Sequence, residues 1–451
     1  MKKSSDHLPA AKALRRSLLM GAALLAGFAA TTPAASAAEK AEPAPTVASL
    51  TTCTATAVKT IKIGVLAPFS AGGMAADAND IYNAATLAAD ELNAAGGVCG
   101  KDARYILTFD KGDTEGQRSD AVITAVRRLT SASDLHLIIA PYASTSNFEI
   151  NLMAKAKMPY IISGGAEATK GIISKNPAGF PTVWSRVPDY GGYSTDLPPL
   201  LDKYLSEGKL AVPAKTVYII GSDDPYGTTI ATGLKDSFEK AGWKVVGTET
   251  VPFQSVTDWR TQLAHIRDVK PGAIVVTEWS PASDATFFNQ FIEQPTDSLL
   301  FLQYAPVIPE FNQMTHNKAT GVIFNMLGGA IDSRPDTKDI TAKYTAKFGP
   351  GGYFSVAGYN DVHLYALCIA KGTDPADHLA MGDCIGKLDV DTPSGRIAFD
   401  PKTHLAKQGD DYMPTIFYQV DDKGGKYIIS PDFVAQSPFK QPYWMTTKPK
   451  T

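Results

Sequence analysis

Hydrophobic residues follow two alternating patterns along most of the chain. Short runs of apolar and β-branched residues alternate with longer segments whose apolar positions recur every three or four residues. The first pattern is typical of buried parallel strands and the second of amphipathic helices. Residues 61–66 (IKIGVL) predict the first strand, and residues 80–94 predict the first helix, which ends at the C-terminal glycines Gly96 and Gly97.

The same alternation continues to residue 163 and then begins again. The further strands of the first unit are predicted at 105–110, 135–140 and 160–163, with helices at 117–131 and 146–157. The second unit follows a break near 187–188, with predicted strands at 216–221, 244–251, 273–277 and 299–303 and helices at 226–241, 258–269 and 282–293. Two late strands, around 414–420 and 427–429, are predicted to return to the second unit. The sequence therefore predicts an α/β fold of two doubly wound parallel-sheet lobes.

Polar, small and aromatic residues cluster where the predicted strands end. Ligands of doubly wound folds bind outside the carboxyl ends of the strands, and N–H groups at a helix start suit an anion such as a carboxylate. Five strand ends carry such residues, namely 141–146 (PYASTS), 163–167 (SGGAE), 225–227 (PYG), 278–281 (EWSP) and 303–304 (QY). Their convergence predicts a ligand cleft between the lobes. Ser144 alone is equally well explained as a helix cap, and a single tyrosine by packing.

No enzyme constellation stands out in the sequence. The seven histidines form no metal-binding pair such as HExxH, and CxxC, GxSxG and GxGxxG motifs are absent. The acidic residues that follow strands, Asp110, Asp113, Asp223 and Asp224, are interpreted as solvated loop carboxylates. We therefore expect a protein that is not an enzyme, with no cofactor and no metal.

The first 37 residues have the features of an export signal. Basic residues precede an apolar run over 18–30, which is too short to span a membrane, and residues 35–37 (ASA) form a small-residue cleavage site. Residues 1–37 are therefore predicted to be a cleaved signal peptide, and the Ala-, Thr- and Pro-rich residues 38–60 a flexible leader. The arginines at 15–16 partly resemble a twin-arginine signal, so both export routes and an uncleaved anchor stay open.

Composition and charge exclude several classes of protein. Hydrophobic residues make up 44% of the chain and charged residues 20%, which is too apolar for a disordered protein. The 43 Lys and Arg against 46 Asp and Glu leave a net charge of −3, so no basic excess favours a nucleic-acid partner. Removal of the signal, with its five basic residues and one acidic residue, would take the charge to −7. An acidic surface suits a freely diffusing carrier.

Four cysteines would enter an oxidising compartment after export. Cys368 and Cys384 flank one helix–loop segment, whereas Cys53 precedes the first strand and Cys99 lies in the glycine-rich turn after the first helix. Four cysteines allow three pairings. We predict the pairs Cys53–Cys99 and Cys368–Cys384. Lipidation of Cys53 is disfavoured because LTTC is a poor lipidation box with no apolar run before it.

In their order and spacing, these motifs resemble the type I periplasmic solute-binding proteins of branched-chain amino acid ABC transporters, the Leu/Ile/Val-binding family. The resemblance covers about residues 61–430 of the chain. The segments that carry it are 61–70 (IKIGVLAPFS), 87–101 (LAADELNAAGGVCGK), 138–146 (IIAPYASTS), 158–163 (MPYIIS), 217–227 (VYIIGSDDPYG), 242–259 (GWKVVGTETVPFQSVTDW), 271–276 (PGAIVV) and 391–401 (DTPSGRIAFDP).

This resemblance implies two lobes joined by a three-segment hinge, which close over a ligand and then dock on a membrane permease. Lobe 1 would comprise residues 61–188 and 326–400, lobe 2 residues 189–325 and 401–440, with a C-terminal tail over 441–451. The expected protein is a periplasmic monomer that binds a small solute, such as an amino acid, an amide or an aromatic acid. A periplasmic sensor that passes ligand occupancy to a receptor remains the alternative.

The resemblance also implies roles for residues at the cleft. By position, Ser144 and Thr145 would bind a ligand carboxylate through hydroxyl and N–H groups, and Gly165 would offer its carbonyl to an ammonium. Tyr226 and Trp279 would close over the apolar part of the ligand. On this basis we expect Ser144→Ala to weaken the binding of a charged ligand by about 1–2 kcal/mol.

Two departures from the family pattern bear on the ligand. Glu167 stands where relatives have Ser or Thr, and an acid is missing near Tyr304. A carboxylate at 167 either faces the cleft and repels anions, by about 1 kcal/mol at 4 Å in water and more in a cleft, or points away as a helix-start residue. Both departures disfavour a plain branched-chain amino acid.

The aromatic residues of the expected cleft indicate what else would fit. They favour a ligand with a flat or apolar body, or a cation held by ring faces. These aromatic residues are Tyr142, Tyr190, Tyr226, Trp279 and Tyr304.

Overall fold

The computed structural model describes residues 41–71, 74–144, 146–164 and 167–449. The predicted signal peptide, residues 1–37, lies outside the described residues. Within the described part of the chain, the strands and helices predicted from the hydrophobic pattern are present, most of them within a few residues of the expected bounds. The two-lobe α/β fold that the sequence predicts is confirmed.

The first lobe is built on a sheet of six strands in the order β2-β3-β1-β4-β5-β6. Its strands are β1 (Val58–Ala67), β2 (Val98–Cys99), β3 (Arg104–Asp113), β4 (Leu135–Ala140), β5 (Tyr160–Ile162) and β6 (Val183–Ser185). Its first helices are α1 (Val47–Thr51), α2 (Ala75–Ala94), α3 (Ser119–Thr130), α4 (Glu149–Ala156) and α5 (Glu167–Ile173). All neighbouring strands are parallel except β2, which pairs antiparallel with β3 at the edge.

Helices cover both faces of this sheet. Leu137 and Ile139 of β4 pack into the apolar cluster that includes α2, whereas Ile138 and Ala140 pack into the cluster that includes α3 and α4. Successive strand residues point to opposite faces, so a strand buried on both faces must be apolar throughout. That requirement explains why these strands appear in the sequence as continuous apolar runs.

The second lobe is built on a sheet of seven strands in the order β15-β14-β11-β10-β9-β7-β8. Its strands are β7 (Thr216–Ser222), β8 (Lys244–Val251), β9 (Ala273–Val276), β10 (Leu299–Leu302), β11 (Ile323–Leu327), β14 (Thr415–Val420) and β15 (Lys426–Ser430). Its helices are α6 (Gly191–Thr195), α7 (Leu197–Ser206), α8 (Pro225–Lys240), α9 (Arg260–Val269), α10 (Pro281–Glu293) and α11 (Pro309–Met314). Strands β7 to β11 are parallel, and β14 and β15 are antiparallel.

The segment between β11 and β14 returns to the first lobe. It contains α12 (Pro335–Phe348), α13 (Phe354–Ala370), α14 (His378–Gly386) and the hairpin of β12 (Asp389–Thr392) and β13 (Gly395–Ala398). Helix α13 packs closely on α2. The absence of a side chain at Gly358 permits this, since a Cβ there would lie only 2.2 Å from the carbonyl oxygen of Ile81. The chain therefore passes between the lobes three times, after β6, β11 and β13. The exact lobe boundaries stay a prediction.

The prediction of a flexible leader is wrong for residues 41–60. The side chain of Thr46 caps α1 and forms a reciprocal capping box with Ser49, and Leu50 is fully buried. The backbone of Glu42 bonds to the hairpin, donating to Asp389 and accepting from Asp391 at 2.9 and 2.8 Å. The capping signal and the buried leucine outweigh the low-complexity composition of this stretch.

One of the two predicted disulfides is present. Cys368 and Cys384 are bonded, joining α13 to α14. Cys53 and Cys99 are free thiols, which corrects the second prediction, although their side chains are in hydrogen-bond contact. Burial raises the pKa of Cys99 to about 11, whereas the hydrogen bond with Cys99 lowers the pKa of Cys53, so Cys53 is the more nucleophilic thiol of the pair.

The C-terminal tail is anchored to the second lobe. Trp444 is buried against Phe288 and Phe291 of α10, and its indole N–H donates to the Ser298 carbonyl at 2.9 Å. No helix among the described residues is both long enough and apolar enough to cross a membrane.

Candidate functional site

A cavity of about 460 Å³ is lined by residues of both lobes. The strand order reverses beside β1 in the first sheet and beside β7 in the second. In doubly wound sheets such reversals open a crevice at the carboxyl ends of the strands. Cavity residues follow β1, β4, β7 and β9, namely Asp77, Tyr142, Asp224 and Trp279. Its volume falls in the range of about 300–1,000 Å³ that is typical of small-molecule sites.

Seven of the nine predicted ligand-binding residues line this cavity. They are Tyr142, Ser144, Glu167, Tyr190, Tyr226, Trp279 and Tyr304. The other two, Thr145 and Gly165, lie outside the described residues. The structure thus brings together the strand ends that the sequence analysis singled out. The role of each side chain in binding a ligand stays a prediction.

Aromatic rings form one wall of the cavity. Tyr190 meets Tyr226 edge-on with ring centroids 5.0 Å apart, and Tyr226 meets Trp279 edge-on at 5.9 Å. Trp279 in turn contacts Phe253 at 4.5 Å and Tyr304 at 5.9 Å. Edge-to-face aromatic contacts of this kind are favourable and hold the rings in place. The wall is therefore a rigid apolar surface suited to a flat or apolar ligand body.

Asp224 positions part of this wall. Its carboxylate caps the start of α8, accepting from the backbone N–H of Tyr226 at 2.9 Å and of Gly227 at 3.2 Å. The indole N–H of Trp279 donates to the same oxygen at 3.3 Å. The interpretation of Asp224 as a solvated loop carboxylate is therefore wrong, because the residue is a helix cap that lines the cavity.

Both donors of Ser144 are used within the first lobe. Its backbone N–H donates to Glu149 Oε1 at 2.7 Å, and its hydroxyl donates to Glu149 Oε2. Glu149 is fully buried in the first turn of α4, and burial raises the pKa of its carboxyl group. The position at which we expected a ligand carboxylate thus already engages a carboxylate of the protein.

Asp77 connects the two lobes at the cavity. The residue lies in the first turn of α2, only 3% exposed, and its Oδ1 accepts a hydrogen bond of 2.8 Å from the Tyr304 hydroxyl. Burial raises the pKa of Asp77 to about 8, opposed by the Tyr304 bond and reinforced by the nearby Asp80. No acid is near Tyr304 in the sequence, but in the structure the other lobe places the Asp77 carboxyl group against its hydroxyl.

The backbone of Tyr304 is strained. Its φ is +68° and its ψ is −52°, and the N–H of Ala305 donates to the Gln303 carbonyl at 2.8 Å. This three-residue turn is rare for a non-glycine residue, and such strain concentrates at functional sites. The turn directs the phenol of Tyr304 across the cavity to Asp77.

Glu167 lies at the start of a helix and faces the cavity at the same time. It is the first residue of α5, and it also lines the cavity. Its carboxylate lies 3.8 Å from Lys170 Nζ, with 42% of the side chain exposed. Burial raises the pKa of Glu167, and the neighbouring Asp189 adds to the effect. Glu167 thus places a negative charge at the rim of the cavity.

Sequence reasoning missed Asp77, Tyr193, Tyr353 and Phe354, which also line the cavity. For Asp77 a signal existed, because the residue opens the helix that follows the first strand, which is itself a strand-end position. Tyr353 and Phe354 belong to the segment after the second lobe, where no strand end pointed to them. Only the return of the chain to the first lobe brings them to the site.

The charged residues among the described lining of the cavity are all acidic. They are Asp77, Glu167 and Asp224, and that part of the lining contains no Lys, Arg or His. In the part of the chain that the structure describes, no three His, Cys, Asp or Glu side chains are grouped so as to hold a metal ion. The cavity is therefore aromatic and lined by acidic side chains, of which Asp77 keeps its proton at neutral pH because burial raises its pKa.

A family model described as periplasmic binding protein matches residues 60–426 of the chain. Among curated proteins, the chain is 27% identical over 404 residues to "Leu/Ile/Val-binding protein homolog 8" of Brucella suis, covering 86% of this chain and 95% of that protein. It is 25% identical over 359 residues to homolog 7 of Brucella abortus, covering 76% of this chain and 85% of that protein.

Solved structures share the fold. A Silicibacter pomeroyi protein, described as a candidate branched-chain amino acid ABC transporter, superposes with a TM-score of 0.77 at 25% identity, covering 86% of this chain and all of that one. A Streptococcus pneumoniae branched-chain amino acid binding protein in complex with isoleucine gives 0.65 at 23% identity, covering 83% and 100%. A solute-binding protein of R. palustris in complex with benzoate gives 0.66 at 16% identity, covering 85% and 98%.

Proposed function

The chain belongs to the periplasmic binding protein family, and on that premise we propose that it captures a small organic solute between its lobes and delivers it to an ABC permease. The family and its relatives are binding proteins, and family membership implies a periplasmic location. The proposal covers what lies beyond this, namely the solute, the delivery step and the export of the chain by its N-terminal signal.

One observation carries the proposal. The aromatic cavity is lined from both lobes and crossed by the Tyr304–Asp77 hydrogen bond, so the two lobes contact each other at the site itself. A solute enclosed there would contact both lobes and favour their closed arrangement. Lobe closure around a ligand is a recognised hinge transition, and a permease that contacts both lobes could distinguish the closed form from the open one.

The relatives indicate which solutes to test. Similar proteins are described as a branched-chain amino acid transporter component, as a binding protein in complex with isoleucine and as one in complex with benzoate. These ligands differ in charge and shape, although the proteins that bind them share one fold. The solute of this chain therefore depends on its own side chains, above all the aromatic wall and the acidic residues of the cavity.

Ligand screening by thermal unfolding tests the proposal. The chain without residues 1–37 is heated with amino acids, amines, amides and aromatic acids, and a true ligand raises the Tm. At a concentration of 100 times the Kd, the expected stabilisation is about 2.7 kcal/mol. Calorimetry should then give one solute per chain, and mass spectrometry should recover that solute unchanged. A compound that is chemically converted would contradict the proposal.

Delivery to a permease needs its own experiment. Deleting the gene in its host should abolish uptake of the radiolabelled solute, and the intact gene should restore it. The Trp279→Ala variant removes a ring of the cavity wall, and it tests whether uptake depends on solute binding in the cavity. It should restore little uptake at low solute concentration. Uptake that is unaffected by the deletion would contradict delivery while leaving solute binding intact.

A further inference from the structure

We propose that the cavity selects an organic cation with an aromatic or apolar body and no carboxylate, and that Asp77 is the carboxylate that pairs with its ammonium group. This inference rests on the proposed function, because it names the class of solute that the same cleft takes. Three independent features of the site support it, namely the engagement of Ser144, the charge of the lining and the unpartnered hydroxyl of Tyr142.

The Ser144 donors that we expected to receive a ligand carboxylate are already used, and Thr145, the other expected donor, lies outside the described residues. The hydroxyl and N–H of Ser144 both donate to Glu149, which is fully buried and therefore held in place by the fold. A ligand carboxylate at this position would have to displace Glu149 and leave its carboxyl group buried without those partners. Leaving a buried polar group unpaired costs about 1–3 kcal/mol, and more for a charged one. The Ser144 position is therefore poorly suited to an acid.

Charge in the lining opposes anions and favours cations. Of the three lining carboxylates, Asp224 is engaged as a helix cap by two backbone N–H groups and the indole of Trp279. Glu167 lies at the rim beside Lys170. Asp77 is the buried member of the three, and its Oδ1 accepts from Tyr304. Asp77 is consequently the buried acid placed to pair with a cation inside the cavity, and an ammonium beside it would favour the ionised form that burial disfavours in the empty site.

An unpartnered hydroxyl belongs to a residue of the same cavity lining as Asp77. The Tyr142 hydroxyl is sealed from solvent and has no hydrogen-bond partner among the described residues, although Tyr142 lines the cavity. Burial raises the pKa of this phenol, and Tyr142 lines the same cavity as Asp77. Buried polar groups in folded proteins are nearly always paired. A ligand that shifts the side chains covering this oxygen would let one ammonium donate to both the Asp77 carboxylate and the Tyr142 oxygen.

The aromatic wall suits the rest of such a ligand. Tyr226, Trp279 and Tyr304 present ring surfaces around the cavity, and a cation within about 6 Å of a ring face is attracted by its quadrupole. The same rings would stack on an aromatic body. Phenethylamine is therefore a suitable probe, with phenylalanine and 3-phenylpropionate as analogues that carry a carboxylate.

Calorimetry on the chain without residues 1–37 tests the inference with these three probes. We expect phenethylamine to bind at least about tenfold more tightly than phenylalanine and 3-phenylpropionate. Equal or tighter binding of either carboxylate overturns the inference and leaves the proposed function intact. Binding of none of the three also overturns it, and the broad solute screen then decides the proposed function separately.

Two variants test the role of Asp77. Asp77→Asn should weaken phenethylamine binding at least about tenfold, and it should weaken the binding of uncharged 2-phenylethanol by a much smaller factor. The matched control is Asp90→Asn, the same change on the exposed side of the same helix. Wild-type affinity in Asp77→Asn overturns the assignment. If that variant does not fold, Tyr142→Phe replaces it and should weaken binding of the amine without affecting 2-phenylethanol.

Discussion

The hydroxyl of Tyr304 donates to Asp77 Oδ1 at 2.8 Å across 227 residues of sequence. Asp77 opens the first long helix of one lobe, whereas Tyr304 follows a central strand of the other. The bond therefore joins the lobes at the site where a ligand would lie. It also stabilises a strained tyrosine backbone with φ of +68°. Ligand recognition and lobe closure thus share one pair of residues.

Removing the Tyr304 hydroxyl should loosen the closed arrangement of the lobes. We expect Tyr304→Phe to weaken ligand binding by about 1 kcal/mol, or roughly fivefold, because the closed state loses a hydrogen bond that the open state lacks. Small-angle X-ray scattering without ligand should show a larger radius of gyration. Tyr443→Phe, an exposed tyrosine of the same lobe, is the control. Unchanged ligand affinity and radius of gyration would show that the Tyr304–Asp77 hydrogen bond does not stabilise the closed arrangement.

The free energy of unfolding should fall as the pH rises between the pKa of Asp77 in the unfolded chain and its pKa in the folded chain. Burial raises its pKa in the folded chain to about 8, whereas an unfolded aspartate has a pKa of about 3.9. Between these values the folded state keeps a proton that the unfolded state has lost. The contribution of this proton is therefore fully present below about pH 4 and is lost by about pH 8, at up to about 1.4 kcal/mol for each pH unit.

Urea unfolding at several pH values measures this contribution. Asp77→Asn carries no titrating proton, so the slope of unfolding free energy against pH between about 5 and 7 should become flatter by up to that amount. Asp80, whose pKa burial raises to about 6, contributes with the same sign below its own pKa and stays in both proteins. Equal slopes in the variant and the wild type would contradict a buried, protonated Asp77.

Ser144→Ala should affect the fold more than the ligand. The family resemblance implies that this variant loses ligand affinity. In the structure, however, both Ser144 donors bond to Glu149. The variant removes a donor from a buried carboxyl group, so we expect about 1–3 kcal/mol less unfolding free energy and little change in affinity. Urea unfolding and calorimetry separate the two effects, with the exposed Ser146→Ala as control. A selective loss of affinity would restore the original expectation.

Glu167→Thr should admit ligands that carry a carboxylate. The change removes a negative charge from the rim of the cavity and restores the residue type that the family resemblance implies. We expect calorimetry to show tighter binding of leucine and phenylalanine. The control is Glu207→Thr, which removes a carboxylate paired with Lys209 in the second lobe. It should not change amino acid binding. Weaker or unchanged amino acid binding in Glu167→Thr would show that Glu167 does not exclude acids.

The two cysteine pairs should differ in reactivity. In the structure Cys368 and Cys384 are bonded, whereas Cys53 and Cys99 are adjacent free thiols. Maleimide labelling of the unreduced, unfolded chain should therefore modify Cys53 and Cys99 only. Prior treatment with oxidised glutathione, which accepts the two electrons and two protons of the thiols, should close that pair and stabilise the fold by about 4 kcal/mol. Cys53→Ser should show no such gain.

Much of the fold is predictable from sequence because burial leaves a local pattern. The first strand, residues 61–66, appears as a continuous apolar run because helices cover both faces of its sheet. The leader is the instructive error. Its composition suggests a flexible segment, but Thr46 and Ser49 cap a short helix whose Leu50 is fully buried. Composition averages over a segment, whereas one cap and one buried side chain are enough to order it.

The candidate site was predictable only as a set of positions. Tyr142, Ser144, Tyr226 and Trp279 follow strands, and parallel strands bring their carboxyl ends to one edge, so their convergence follows from topology. The partner of each side chain does not follow from topology. Whether Ser144 bonds to a ligand or to Glu149 depends on where the first turn of α4 places the Glu149 carboxyl group.

The sequence by itself determined the two-lobed α/β architecture, the family and the edge of each sheet at which the cavity opens. Those features rest on periodicity, turn residues and the order of motifs, all of which are local. The tertiary structure decided the chemistry of the cavity. It brought Asp77 to Tyr304 across 227 residues of sequence, because hydrogen bonds and pKa values depend on distances between elements that lie far apart in the chain.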